Sequence, residues 1–97
     1  MSEDGLRVDI WLWRARFFKT RAEANRHVSD KGVRIDRSGM VRKSNKPGAT
    51  ILPDDVLIFR KAGRIEIIRV LGLPDRRGPA SEAQGFYQRI DEGDPLT

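Results

Sequence analysis

The sequence contains no cysteine and a single histidine, His27. The absence of cysteine excludes a disulfide-stapled scaffold, a thiolate nucleophile and a cysteine-based metal site, and one histidine excludes a histidine-rich metal cluster. No apolar run approaches the ~20 residues of a transmembrane helix, and residues 1–5 lack the order of a signal peptide. We therefore expect a cytoplasmic protein with no metal, no cofactor and no membrane partner.

Groups that could perform catalysis are also scarce. Asp54 and Asp55 are adjacent carboxylates, but neighbours on an extended turn point in different directions, so a role in forming the turn is the favoured interpretation. His27 has no serine and acid at a suggestive spacing, and phosphate-binding glycine loops are missing. The sequence predicts no catalytic residue, no small-molecule substrate and no enzymatic activity.

Positive charge is concentrated in the first half of the chain. The 97 residues carry a net charge of +5, whereas residues 7–46 hold twelve Lys and Arg against four Asp and Glu. A domain whose positive charge lies in one half is suited to a polyanion, and nucleic acid is the commonest one. A solvated basic face without a partner is the alternative interpretation.

Hydrophobic spacing predicts a first helix at residues 7–18 and a second helix from the Thr20 cap to about Lys31, ended by Gly32. A corner of two or three residues joins them. The apolar period then changes to two, which predicts short strands up to residue 71, and residues 81–90 predict a short helix. We expect an α+β fold in which a two-helix αα corner packs on a small twisted antiparallel sheet of four to five short strands.

Basic residues line the predicted helix pair and continue onto the strands and the loop after them. Arginine suits phosphate because its planar fork grips it through two hydrogen bonds, and charge laid along a path fits A-form RNA, which is recognised through phosphates and 2′-hydroxyls. Phe17 or Phe18 is a candidate for stacking on an unpaired base, with core packing as the alternative. The candidate RNA-binding residues are Arg7, Arg14, Arg16, Phe17, Lys19, Thr20, Arg21, Arg26, Arg34, Lys43 and Lys46.

A DNA-binding helix-turn-helix is a further alternative, because it also joins two helices at a short corner. Its recognition helix needs several base-reading side chains on the exposed face. The second predicted helix offers Asn25 and little else beyond charge. The sequence therefore favours RNA over DNA.

Several short motifs, taken in order, resemble a known family. Thr20-Arg21, Ala24, Val28 and Gly32-Val33 are similar to the run that crosses from the second helix into the first strand of the S4 RNA-binding domain. Residues 11–21, and residues 76–83 followed by Tyr87, resemble two signatures of the ribosome-associated heat shock protein 15 group within that family.

The resemblance implies a fold and a function. It implies an S4-like αL motif within an RNA-binding domain at residues 6–71, followed by a linker, a short C-terminal helix and an acidic tail at 72–97. It also implies a non-enzymatic protein that binds structured RNA, such as ribosomal RNA of the large subunit, in translation recycling or stress response. We expect the protein to be a monomer. Members of the group usually continue into a basic C-terminal extension, whereas residues 91–97 are acidic. The alternative is an adaptor that positions a partner protein or an RNA-modifying enzyme on RNA.

Overall fold

The computed structural model describes residues 5–90, so the acidic tail predicted at 91–97 lies outside the described residues. The elements are β1 (Leu6–Arg7), α1 (Val8–Arg14), α2 (Arg21–Lys31), β2 (Val33–Arg37), β3 (Met40–Ser44), β4 (Thr50–Ile51), β5 (Val56–Lys61), β6 (Arg64–Val70), α3 (Ala80–Ala83), a 3₁₀ turn (Gln84–Phe86) and β7 (Tyr87–Arg89). The predicted α+β class is confirmed. Among residues 5–90, no helix combines the length and the apolar character that crossing a membrane requires.

The strands form two antiparallel sheets rather than the single sheet that we predicted. One is the short pair β1–β4, and the other has five strands in the order β3-β2-β5-β6-β7. Ile35, Leu57 and Ile68 lie side by side across three strands of the larger sheet, and each is at most 1% exposed. They belong to one apolar core with Trp11 and Leu12 of α1. The helix pair therefore covers one face of the larger sheet.

Helix α2 forms for local reasons that the sequence carries. The Thr20 side chain accepts a hydrogen bond from the N–H of Glu23 at 3.0 Å, as an N-cap does. Ala24 and Val28 are fully buried one turn apart. Gly32 ends the helix with φ +81°, a left-handed conformation that favours glycine. The predicted bounds of this helix are confirmed.

Helix α1 ends at Arg14, so the predicted extension to residue 18 is wrong, and a connection of six residues replaces the short corner. Arg16 has φ +71° and breaks the helix. The N–H of Phe17 bonds to the carbonyl of Leu12 at 2.9 Å, which lets both Phe17 and Phe18 enter the core.

The C-terminal segment also differs from its prediction. The short helix α3 begins after Pro79, and the chain then extends as β7, which pairs with β6 through Val70 and Tyr87. The Tyr87 ring packs against Phe17, with 4.7 Å between ring centroids. Pairing with the edge of β6 and burial against the aromatic cluster together explain why residues 87–89 form a strand instead of a helix.

Candidate nucleic-acid interface

The first candidate residue, Arg7, is bound to a buried carboxylate. Its Nε and Nη2 donate to Oδ1 and Oδ2 of Asp9, both at 3.0 Å. Asp9 is fully buried and also accepts from the N–H of Ile10 and from Nδ2 of Asn25. Burial raises the pKa of Asp9, but the bonds from Arg7 and Asn25, the charge of Arg7 and the Ile10 N–H together hold that pKa below its usual value. The main role of Arg7 and Asn25 is therefore to stabilise the fold by satisfying the buried carboxylate of Asp9.

Arg14 and Arg16 are bonded to the chain near residues 74–78. Nη1 of Arg14 donates to the carbonyl of Pro74 at 2.9 Å, and its Nε is buried without a partner. Nε of Arg16 donates to the carbonyl of Gly78 at 2.7 Å. In the opposite direction, Arg77 donates to the carbonyls of two residues on the helix side. These arginines fasten the C-terminal segment to the connection between α1 and α2, and the half-buried Arg14 is the less available to an outside partner.

Phe17 packs in the core, which corrects its inclusion among the candidate RNA-binding residues. It is 6% exposed. Its ring stacks on Trp11 at 5.9 Å and meets Phe59 edge-on at 5.8 Å. Tyr87 covers it from another side. Because neighbouring rings enclose Phe17, it has no free face on which a base could stack.

Most of the remaining candidates face solvent without a carboxylate partner. We call them the open basic set: Lys19, Arg21, Arg26, Arg34, Lys43 and Lys46. Within residues 5–90 the ion pairs join Arg7 to Asp9, Arg37 to Asp55, Arg76 to Glu82 and Arg89 to Glu66, and none involves this set. Thr20 is exposed beside Lys19 and Arg21, with its hydroxyl oxygen accepting the N–H of Glu23.

Two concavities gather part of the open basic set. Lys19 and Arg26 line a cleft of about 830 Å³ on one side of α2. Arg34 and Lys43, which are directly paired across β2 and β3, line a second depression of about 410 Å³. Lys31, at the end of α2, borders both concavities, so the two groups of cations are neighbours. Arg21 and Lys46 line neither of them.

The structure adds basic residues that our sequence reasoning did not select. Lys31 borders both concavities, Lys61 and Arg77 line the cleft, and Arg60 lines the depression. The sequence shows Lys61 only as part of a hairpin connection and Arg77 only as part of a linker. Each comes close to α2 or to its preceding connection through long-range topology. The one sequence signal was Lys31, which continues the basic run of the predicted second helix.

Comparisons with known proteins point to one group of relatives. No family model matches the chain. The chain is 34% identical over 92 residues to the heat shock protein 15 homolog of Haemophilus influenzae and 32% identical over 87 residues to heat shock protein 15 of Escherichia coli K12. These alignments cover 94% and 90% of this chain but 66% and 62% of the relatives. The chain thus spans slightly less than two thirds of the length of these curated relatives.

A solved structure is similar as well. It is that of heat shock protein 15 from Vibrio cholerae, with a TM-score of 0.79 and 28% sequence identity, and the match covers 96% of this chain and 89% of that chain. The Vibrio cholerae protein is described as trimeric. Its assembly differs from the monomer that the sequence predicts for this chain.

Proposed function

The chain belongs to the heat shock protein 15 family, an S4-domain family, and from this premise we propose that it is a stress-response protein that binds structured RNA without altering it. The RNA is ribosomal RNA of the large subunit, and the protein acts in the cytoplasm during translation recycling. The binding unit is an S4-like corner formed by α1, α2 and their connection, within a domain at residues 6–71 that is followed by a C-terminal segment at 72–97.

The observation that carries this proposal is the open basic set. Six exposed cations and Thr20 follow a path over the start of α2, along that helix and onto the β2–β3 pair. Cations that have no internal carboxylate partner are available to phosphates and release counterions when they bind them. Their spacing along a path fits recognition of the shape of an RNA backbone rather than of base edges.

The sharpest test replaces Lys19, Arg21 and Arg26 together by alanine. Arg16 is left unchanged in this variant, because its side chain also donates to the carbonyl of Gly78 inside the molecule. We expect affinity for folded RNA to fall on the order of a hundredfold, and the dependence on salt to weaken by about 0.7–0.9 for each lost phosphate contact. Fluorescence anisotropy over a series of salt concentrations measures both quantities.

A matched control variant removes the same charge elsewhere. Arg42, Arg64 and Arg76 are exposed and lie outside both concavities, so their combined replacement by alanine should change affinity far less. Equal losses of RNA affinity in the two triple variants would show that the RNA is held only by unspecific attraction to the positive charge of the protein. Unchanged RNA affinity in the variant that lacks Lys19, Arg21 and Arg26 would contradict the proposed binding site.

The choice of the large subunit has its own test. Sedimentation of the native protein with ribosomal subunits through a sucrose gradient should place it with the large subunit at low salt and release it at high salt. Movement with the small subunit, or with neither subunit, would contradict this part of the proposal.

An adaptor function is the alternative, and exposed apolar side chains favour it. Met40 and Val41 on β3 are 75% and 55% exposed, and Ile65 on β6 is 57% exposed. An adaptor would hold a protein partner through such residues even at salt concentrations that strip it from RNA. Retention of a purified RNA-modifying enzyme at high salt, lost in a Val41→Ser and Ile65→Ser double variant, would favour this alternative.

A further inference from the structure

The cleft beside α2 is a concave site that several segments of the chain form together. Three parts of the chain form it: the connection after α1, one side of α2, and the hairpin between β5 and β6, with Arg77 and Ala80 closing one end. Its volume of about 830 Å³ lies within the range of small-molecule sites. An RNA duplex lies across such an opening, whereas a single nucleotide is small enough to enter it.

The walls of the cleft combine apolar and cationic groups. Phe18, which is 9% exposed, and His27 supply ring atoms that are packed 5.0 Å apart between centroids. Lys61 also lines the cleft, with its Nζ 5.6 Å from the centre of the Phe18 ring. A ligand that suits this lining has a flat apolar part and an anionic part, which describes a nucleotide.

The cleft is held rigidly at one end. Nε and Nη2 of Arg77 donate to the carbonyls of Trp13 and Phe18 at 3.0 and 3.3 Å, and its guanidinium lies 5.9 Å from the Trp13 ring. A guanidinium plane fixed in this way is a surface on which RNA bases stack. Because the fold already orders the Arg77 side chain, a ligand that binds there loses less conformational entropy of the protein.

The charges that face the cleft are mostly positive. Six cations line it, namely Arg16, Lys19, Arg26, Lys31, Lys61 and Arg77, against the two acids Glu23 and Asp30. Burial lowers the pKa of His27, and the charges of Lys31 and Lys61 lower it further, while Asp30 acts in the opposite direction. This balance reports a positive potential at His27, of the sign that attracts a phosphate.

We propose that this cleft receives one unpaired nucleotide of the bound RNA, with the base against the Arg77 guanidinium and its phosphate at Lys61 and Lys31. This inference rests on the proposed RNA binding and adds a preference for RNA that carries an extruded base. Lys61, at the end of β5, becomes a binding residue. A free nucleotide offers the same chemistry, so the test separates the two sources.

The test compares a hairpin RNA whose stem is fully paired with the same hairpin carrying one extra unpaired nucleotide. Stacking of one base contributes enough for a preference of about tenfold for the bulged hairpin, measured by fluorescence anisotropy at fixed salt. Lys61→Ala should remove most of that preference. Arg64→Ala should keep it, because Arg64 is the cross-strand partner of Lys61, carries the same charge and lies outside the cleft. Equal melting temperatures of the two variants verify that both fold.

A second readout uses His27, the only histidine of the sequence. Proton NMR of its ring during a pH titration should show the pKa rise when the bulged hairpin binds, because a phosphate offsets the charges of Lys31 and Lys61. The paired hairpin should leave that pKa nearly unchanged. Adenosine monophosphate, added alone at millimolar concentration, should also leave it nearly unchanged.

The outcomes separate the two proposals. Equal affinity for both hairpins, or equal effects of Lys61→Ala and Arg64→Ala, would overturn the nucleotide site and leave RNA binding in place. Failure of the native protein to bind either hairpin would overturn both proposals. A shift of His27 by adenosine monophosphate without a preference for the bulge would assign the cleft to free nucleotides and overturn its role in RNA.

Discussion

The arginines at the two ends of α1 and the cations at the start of α2 and along it carry the same charge in different settings. Arg7 and Arg14 donate to groups of their own chain, a buried carboxylate and a carbonyl near the C-terminal end. Lys19, Arg21 and Arg26 are exposed, and none of them forms an ion pair among the residues that the structure describes. A buried acceptor within reach, and not the type of residue, therefore decides whether a cation supports the fold or remains available to a partner.

Replacing Asp9 by alanine should cause the largest loss in the free energy of unfolding. The change removes the acceptor of Arg7, Asn25 and the Ile10 N–H at a fully buried position. Breaking a buried pair costs about 3–5 kcal/mol, and because the Arg7 side chain is 45% exposed and can turn towards water, we expect a loss of about 2–3 kcal/mol. Urea unfolding measures it. The exposed Asp30→Ala should lie within about 0.5 kcal/mol of the native protein, and equal losses would contradict the assignment.

Arg77→Ala should have the next largest effect on the free energy of unfolding. It removes two charge-assisted hydrogen bonds to the carbonyls of Trp13 and Phe18, which contribute about 1–2 kcal/mol in a half-buried setting. The neighbouring Arg76 pairs only with the exposed Glu82, so Arg76→Ala should cost less than about 0.5 kcal/mol. Thermal unfolding of the two variants checks the order, and a larger loss for Arg76→Ala would show that Arg77 does not fasten the segment.

Acid should weaken the fold through Asp9. The folded pKa of Asp9 lies below its usual value, so its contribution to stability is complete above the unfolded pKa of about 3.9 and is lost as the pH falls through the folded pKa. Asp9→Asn should therefore reduce the slope of unfolding free energy against pH below about pH 4. Asp30→Asn is the control that should keep the native slope. Parallel curves for all three proteins would show that Asp9 titrates alike in the folded and unfolded states.

Arg34→Gln should give the smallest change in stability and tests a cation that remains available to a partner. Arg34 is exposed on β2, so we expect unfolding free energy to change by less than about 0.5 kcal/mol. RNA affinity should fall a few-fold, and its salt dependence should weaken by about 0.7–0.9. Arg42→Gln, on the strand beside it but outside the depression, should leave the salt dependence unchanged. An equal change of the salt dependence in both variants would show that Arg34 is not a specific RNA-binding residue.

Local signals account for the parts of the fold that the sequence predicted well. The Thr20 cap, the spacing of Ala24 and Val28, and Gly32 determine α2 within about a dozen residues of chain. Alternation of apolar residues likewise predicted the strand positions between residues 33 and 70. These features depend on neighbours in sequence, so composition and spacing are sufficient to find them.

The parts that were missed depend on contacts between distant residues. The end of α1 follows from the burial of Phe17, whose partner Tyr87 lies seventy residues later, and the same contact turns the predicted last helix into β7. The candidate site likewise has one part that the sequence predicts and one part that depends on distant contacts. The sequence located the positive charge, but which cations stay open depends on acceptors such as the carbonyls of Pro74 and Gly78, about sixty residues from the arginines that they bind.

The pairing of β7 with β6 has a consequence for handling the protein. β6 carries the apolar residues Ile65, Ile67, Ile68 and Val70, and β7 covers its outer edge by pairing with residues 68–70. An uncovered edge of this kind is a template on which another chain can add a strand. A chain cut by a protease before Tyr87 would bare that edge together with the rings of Trp11 and Phe17, and such fragments should precipitate while the longer chain stays in solution.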